Sequence, residues 1–337
     1  MKREITVSGV RPTGKQHLGN YLGAVKSFVK MQDEYAGYFF IADYHSLTTH
    51  PKAADLQQNV KQTLIEYLAC GLDPEKCVLF AQSDVPQVIE LYLIFNMLAY
   101  VGELEKVPTF KEKVRSQPDN VNAGLLTYPV LMAADILIHH AAKVPIGKDQ
   151  MQHLEMARNF GNRFNYLYGV NYFTEPHGFT YSENPVSVPS LNGQGKMSKS
   201  KGENSVIYLS DAPDVIRKKI MKLTTDSGPT QMNQEKPEAI LNAFALLGLV
   251  SSAETVSFFE EQYNQCSIRY GDMKKQLAED MVAYLKPISD RITEYTGNEV
   301  LLNRILAEGA EKARNSAIKT VSEVREIIGL KKFPAGT

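Results

Sequence analysis

Between Gly193 and Gly202 the chain reads Gly-Gln-Gly-Lys-Met-Ser-Lys-Ser-Lys-Gly, with three lysines inside six residues and two serines between them. Only Met197 in this run is apolar enough for a core. Such a loop suits a polyphosphate whose charge moves during reaction. Glycines permit closure, and lysines neutralise charge as it shifts. Solvated basic loops share this composition, so the chemistry needs a second partner. Residues 8–20, Ser-Gly-Val-Arg-Pro-Thr-Gly-Lys-Gln-His-Leu-Gly-Asn, supply one. Ile5-Thr6-Val7 reads as a strand, Pro12-Thr13-Gly14 as a turn, and a helix opens near Leu18. A helix N-terminus after a glycine turn presents free N–H groups and the positive end of its dipole, which favours an anion. Glycine turns also precede helices for purely steric reasons.

The elements that must position these groups alternate. Tyr38-Phe39-Phe40-Ile41-Ala42 reads as a buried strand ending at Asp43-Tyr44-His45, followed by a helix from Leu56 to Cys70. Cys77-Val78-Leu79-Phe80 is a further strand, ending at Gln82-Ser83-Asp84. Alternation of this kind predicts an α/β fold on a doubly wound parallel sheet. Ligands bind outside the carboxyl ends of such strands, where His45 and Gln82 fall. Residues 88–106 read as one helix, and Phe110 to Arg115 as a basic knot before a polar loop over 116–122. That knot is either a solvated edge or a phosphate clamp.

A helix from Gly124 to Ala142 carries Pro129, expected in its first turn. Tyr128, Met132 and Asp135 then share one face. Asp135 sits among Leu131, Met132, Ile136, Leu137 and Ile138. A carboxylate there is costly unless a donor meets it, either an internal partner or a ligand's N–H or O–H. Val144-Pro145-Ile146 runs into Gly147-Lys148-Asp149-Gln150 and His153, a second strand–glycine–helix edge suited to a ribose or an ammonium group. Residues 161–195 read as loop-rich. From Asp211 onward the pattern is helical, with stretches near 237–248, 253–264, 272–294 and 298–328. A domain boundary is placed near residue 205.

The chain has 337 residues and a formal net charge of −1, so bulk charge makes no case for nucleic acid. A polyanion must be met by a local patch. Cys70, Cys77 and Cys266 form no CxxC pair, which argues against a zinc cluster or a disulfide framework. They are expected to be buried free thiols in a reducing compartment. The N-terminal Met-Lys-Arg-Glu-Ile-Thr-Val lacks the apolar core of a signal peptide, and no apolar run reaches about 18 residues. A cytoplasmic protein without a membrane span is expected.

His17-Leu18-Gly19-Asn20 resembles the HIGH signature of class I aminoacyl-tRNA synthetases, and Lys196-Met197-Ser198-Lys199-Ser200 matches their KMSKS signature. The helix bearing Tyr128, Met132 and Asp135, and the segment Gly147-Lys148-Asp149-Gln150, resemble those of the bacterial tryptophanyl-tRNA synthetase family. The resemblance covers essentially the whole chain and is weakest over 161–190. It implies a Rossmann-type catalytic domain over 1–205. A helical anticodon-binding domain would follow over 206–337, its last helix able to pack back on the first domain. It also implies a homodimer.

The implied reaction forms tryptophanyl-adenylate from L-tryptophan and ATP, with Mg2+ accompanying the nucleotide and no dedicated protein metal site. The acyl group then passes to tRNA(Trp). By match, Arg11, Pro12, Thr13, Gly19 and Asn20 line the ATP site, and His17 donates to a phosphate oxygen. Gly147, Lys148 and Asp149 hold the ribose and adenine side, and Val188 contacts the adenine. Lys196 and Lys199 follow the pyrophosphate, with Met197, Ser198 and Ser200 beside them, and Lys113 reaches in on closure. Tyr128 and Gln150 meet the ammonium. Asp135 accepts the indole N–H, with Met132 and His45 completing the amino-acid site.

Three positions depart from the family pattern: Asn20 ends the first signature, Arg11 stands where many relatives have Gln, and Val7 where some have a larger aromatic residue. The tyrosyl-tRNA synthetases are the nearest alternative, with a polar Gln where this chain has Met132. A thioether packs on an indole face and offers a phenol oxygen almost nothing. A synthetase-like protein without chemistry and a small-molecule nucleotidyltransferase are the remaining alternatives.

Overall fold

The structure, a computed structural model, describes residues 3–147, 150–179 and 187–330. Among the described residues five strands form one sheet: β1 Ile5–Val10, β2 Ala36–Ile41, β3 Val78–Ala81, β4 Lys143–Pro145 and β5 His177–Phe179. Their order is β3-β2-β1-β4-β5, and every neighbouring pair is parallel. Residues alternate across the sheet. Phe39 and Ile41 enter one buried cluster, while Phe40 and Ala42 enter the other. A sheet covered on both faces explains why these strands read as continuous apolar runs rather than as alternation.

Among the described residues, the first half of the chain adds nine α-helices. They are α1 Leu18–Asn20, α2 Lys26–Glu34, α3 Asp43–Ser46, α4 Ala53–Cys70, α5 Gln87–Leu98, α6 Val101–Leu104, α7 Pro108–Ser116, α8 Ala123–Leu137 and α9 Met151–Tyr168. A π-helical turn over Tyr21–Val25 joins α1 to α2. After residue 205 come α10 Pro213–Met221, α11 Glu238–Val250, α12 Ala253–Asn264, α13 Tyr270–Tyr295 and α14 Glu299–Ile327. Ile216, Phe244, Leu277 and Met281 from this later part share a core with Leu18, Val25 and Phe39. α14 contributes Ala310, Ala313, Ala317 and Val324 to the core on the opposite face.

Several boundaries differ from expectation. Residues 88–106 are two helices, broken where Ala99 and Tyr100 turn extended. The basic knot lies within α7. Pro129 is inside α8 rather than in its first turn; Asn122 caps this helix by accepting from the Leu125 N–H at 3.1 Å. α8 ends at Leu137, short of Ala142, and His140 follows in a left-handed conformation with φ +51°.

The stretch 161–168 is helical, as the second half of α9. Gly161 there suggests a loop, but its missing Cβ admits Phe173 and Leu137, whose atoms would lie 3.2 and 3.6 Å from it. The glycine serves close packing, not a turn. Cys70 and Cys77 are buried free thiols, whereas Cys266 is exposed. No helix among the described residues is long and apolar enough to cross a membrane.

Gly309 lets α14 lie directly on β3. A Cβ at this position would stand 1.8 Å from the Leu79 carbonyl oxygen, a backbone atom that cannot swing away. Within a helix, Gly→Ala normally stabilises by up to about 1 kcal/mol. Gly309→Ala is expected to reverse that sign and destabilise by about 3 kcal/mol or more, read as a lowered thermal midpoint. An unchanged or raised midpoint would show that α14 is not held against β3.

Candidate active site

A cavity of about 530 Å3 opens at the carboxyl ends of β1 and β2 and the entry to α9. Arg11, His45, Lys113, Tyr128, Met132, Asp135, Gly147 and Gln150 all line it. Its floor is Gly9 and Phe40. A side chain at Gly9 would sit 2.6 Å from the Phe40 ring, so glycine is what keeps that ring in place.

Asp135 is buried, and both its oxygens are engaged. His45 Nε2 lies 2.9 Å from Oδ2, and the Gln82 amide donates to Oδ1 at 2.7 Å. Burial pushes this carboxyl up from its ordinary range, and the contacts with His45 and Gln82 oppose the shift. Two donors do not exhaust a carboxylate, which offers about four lone-pair sites. Met132 lies one turn away on the same wall. The strand ends that carry His45 and Gln82 are themselves tied. Asp43 accepts from the Ser83 N–H at 3.0 Å and from the Ser83 hydroxyl.

On the opposite wall, Tyr128 Oη lies 2.7 Å from His153 Nε2 and contacts the Thr109 hydroxyl. His153 Nδ1 lies 2.9 Å from Gln150 Oε1. Lys113 Nζ stands 3.8 Å above the Tyr128 ring centre, a cation–π contact. Burial lowers the Lys113 amine to about 8, and the Arg11 guanidinium adds to the fall. Burial lowers Arg11 too.

The two signatures meet beside this cavity. His17 caps α1: its Nδ1 accepts the Asn20 N–H at 3.3 Å, and Asn20 Oδ1 accepts the His17 N–H at 3.1 Å. Burial lowers His17 to about 4, with Lys199 contributing, so the ring is neutral at pH 7. With Nδ1 accepting, the ring proton is on Nε2, which remains a donor. A side chain at Gly19 would lie 3.0 Å from the His17 ring and 3.6 Å from Met197 Cβ. Lys199 Nζ donates to the carbonyls of Thr13 at 3.1 Å and Gly14 at 3.2 Å. Segments 186 residues apart are thereby joined.

Met197 is buried and anchors the flap, its N–H donating to the Val188 carbonyl at 2.8 Å. Val188 is itself core and does not line the cavity. The Ser198 and Ser200 hydroxyls bond each other at 2.9 Å. Lys196 is exposed and Pro12 buried. Lys148 and Asp149 lie outside the described residues.

Glu66, His153 and Thr109 were not singled out for the site from sequence. Glu66 is fully buried beneath the Gly14–Gln16 turn and accepts the Gln16 N–H with both oxygens at 3.1 Å. Burial pushes it up to about 7, against hydrogen bonds from Gln62 and Gln16 and the charge of Lys199. Its position inside an apolar helix, like that of Asp135, is the signal that finds it. Thr109 carries no such mark.

A parallel sheet in this order, with a glycine-tipped helix and a lysine flap meeting at the carboxyl edge of β1, defines a class I synthetase. Residues 2–286 match the family described as tRNA synthetases class I (W and Y), and the chain belongs to that family. Within it, the chain is 57% identical over 328 residues to the tryptophan–tRNA ligase of Porphyromonas gingivalis, covering 97% of this chain and 100% of that one. It is similar to the crystal structure of tryptophanyl-tRNA synthetase from Campylobacter jejuni complexed with ADP and tryptophan, with a TM-score of 0.86 and 34% identity over 97% of this chain and 100% of that one. A tyrosyl-tRNA synthetase from Aeropyrum pernix shares the fold alone, at 18% identity and a TM-score of 0.65 over 91% of this chain and 89% of that one.

Acylation of Lys113 by an amine-selective reagent, followed by peptide mass mapping, should be half-maximal near pH 8. Arg11→Gln should move that midpoint upward, because it removes a neighbouring positive charge. A wild-type midpoint near the ordinary lysine value of about 10.4 would refute the burial assigned to this amine.

Proposed function

We propose that this protein joins L-tryptophan to tRNA(Trp) in two steps. The tryptophan carboxylate attacks the α-phosphorus of ATP, giving tryptophanyl-adenylate and pyrophosphate. A 3′-terminal hydroxyl of the tRNA then takes the acyl group and AMP departs. No covalent enzyme intermediate is needed, so catalysis is positioning and charge stabilisation. The observation that carries the substrate assignment is the buried Asp135 beside Met132. The carboxylate retains acceptor capacity, and an indole N–H is a donor only.

In this reading His45 and Gln82 hold Asp135, and Met132 packs on the indole face. Tyr128 and Gln150 accept from the ammonium. Arg11 and Lys113 neutralise the carboxylate and the α-phosphate, and the neutral His17 donates Nε2–H to a phosphate oxygen. Lys199 leaves two neutral carbonyls for the pyrophosphate, which is more favourable because the acceptor is charged. Lys196, Met197, Ser198 and Ser200 move with it, and Pro12, Thr13, Gly19 and Asn20 form the tip on which the triphosphate rests. Gly147, Lys148 and Asp149 complete the ribose and adenine side, and Val188, a core residue, supports the flap from beneath through Met197. Mg2+ arrives with ATP; no group of three or more His, Cys, Asp and Glu side chains among the described residues gathers as a metal site.

Residues 206–337 form the anticodon-binding part of a cytoplasmic homodimer. The pairing is supported by an exposed apolar group, Leu93 and Met97 on α5, Tyr100 and Val101 at α6, and Tyr166 and Leu167 on α9. Arg163 of α9 packs on the Tyr100 ring at 4.2 Å, so these helices form one face.

Amino-acid-dependent ATP–pyrophosphate exchange tests the reading. Tryptophan should support exchange far better than tyrosine. Asp135→Ala should weaken tryptophan binding by about 1–3 kcal/mol, roughly ten- to a hundredfold. Faster exchange with tyrosine would overturn the substrate assignment, and unchanged affinity in the variant would make Asp135 structural.

A further inference from the structure

We infer that Glu66 is a positioning residue for the lysine flap: from beneath the Gly14–Gln16 turn it fixes the carbonyls on which Lys199 rests, and its charge retains the ammonium there until a polyphosphate draws it away. This rests on the reading above in which Lys199 follows the pyrophosphate.

The seat is built on α4, where Asn59, Gln62 and Glu66 recur on one face. Asn59 lies under Gly14. A Cβ on that glycine would stand 3.7 Å from Asn59 Oδ1 and 4.0 Å from Lys199 Nζ, so helix and flap lysine both reach the turn. Glu66 accepts the Gln16 N–H with both oxygens at 3.1 Å, and the Gln62 amide donates to one of them at 2.9 Å. The Gln16 carbonyl accepts the Leu209 N–H at 3.0 Å, from the segment that follows the flap. Gln16 is thus gripped by α4 on one side and by the far end of the flap on the other. Thr13 and Gly14, whose carbonyls receive Lys199, lie just before this fixed residue.

An amide side chain could accept the Gln16 N–H as a carboxylate does. The charge is therefore surplus to the turn, and it is costly to keep. Residues 63–70 are all buried, and Glu66 is fully so. Two lysines act on it, Lys199 and Lys15. Lys15 is exposed, where water and salt screen it. Lys199 is half-buried against the turn, and its effect is mutual. The Lys199 charge lowers the Glu66 carboxyl against burial, and the Glu66 charge raises the Lys199 amine against burial. The acid thus favours the ammonium in its seat. When Lys199 departs, that attraction is lost, and the charge of the polyphosphate has to compensate for it.

Equilibrium dialysis with ATP and Mg2+, without amino acid, separates this balance from chemistry. Glu66→Gln keeps an oxygen for the Gln16 N–H and removes the charge. It should bind ATP about three- to tenfold more tightly than wild type, and less than about twofold differently when both carry Lys199→Met. In tryptophan-dependent exchange the gain should appear as a lower KM for ATP, with kcat within about twofold of wild type.

Lys199→Met alone should weaken ATP; if it does not, the flap reading fails and this inference with it. If it does, and Glu66→Gln changes nothing, this inference alone is refuted. Equal tightening with and without Lys199 would mean that the acid acts independently of the lysine, and weaker binding would reduce it to a prop of the turn; either overturns the assignment. Should Glu66→Gln not fold, 13C NMR of glutamate-labelled protein carries the test. The Glu66 carboxyl should titrate near pH 7 in wild type and higher in Lys199→Met, and identical midpoints would refute the coupling.

Discussion

β1 is paired on both sides with parallel strands, to β2 and to β4, and the architecture of the site follows from that constraint. A parallel pair cannot be closed by a tight turn; each neighbour needs a crossover. The chain leaves β1 toward β2 by way of α1 and α2 and comes back through α8 to β4. These crossovers cover opposite faces: Leu22, Val25 and Phe28 join one core, and Val130, Ala134 and Ile136 the other. Between them the carboxyl end of β1 is left uncovered. Gly9 and Arg11 reach that opening from β1, and Asp135 and Met132 from α8. The crevice is thus a product of strand order.

In and beside this crevice the protein gathers basic side chains and withdraws water from them. Burial lowers Arg11, Lys113, His17 and Lys199 alike, and it raises the two buried acids Asp135 and Glu66. Among the described residues, neither acid pairs with a lysine or arginine through a direct salt bridge. Asp135 is met by an imidazole and an amide, and Glu66 by a backbone N–H and an amide. Arg11 and Lys113 therefore face the cavity without a carboxylate in direct contact, and Lys199 feels the Glu66 charge only at a distance. The same balance governs the flap. Lys199 rests on neutral carbonyls, so its ammonium has no opposite charge in direct hydrogen-bond contact, and a charged acceptor would add that attraction. A phosphate can displace the carbonyls, and a carboxylate in their place would have held the lysine back.

The legible part of this protein was the part whose physics is local. Alternating strands and helices, Asp135 among aliphatic neighbours, and the 253–264 helix follow from spacing within a few residues. Helix α8 was legible as a helix but not in its limits, because Asn122 caps it from outside the expected span and His140 ends it by a left-handed turn. The loop-rich reading of 161–195 fails at its start, because a glycine that serves close packing, as Gly161 does, looks the same in sequence as one that serves a turn. The joining of Lys199 to Thr13 and Gly14 is a contact across most of the chain, and no local pattern encodes it. His153 was visible only as a residue after Gln150. Its meaning depends on Thr109 and Tyr128, which approach it from two other helices.

The boundary expected near residue 205 follows the last named strand, yet packing runs across this point, and α14 is why. Its Arg314 donates to the Asp84 carbonyl at 2.8 Å, two residues beyond Gln82. Its Thr320 donates to the Ile138 carbonyl at 2.7 Å, at the end of α8, and Ser316 lies 3.2 Å from His139. These are the two segments that meet at Asp135, one bringing its amide donor and the other bringing the carboxylate. Gly309 allows the helix to approach closely enough to hold both, since any side chain there would meet the Leu79 backbone. The acceptor in the cavity is therefore backed by α14, which ties both segments that meet at it.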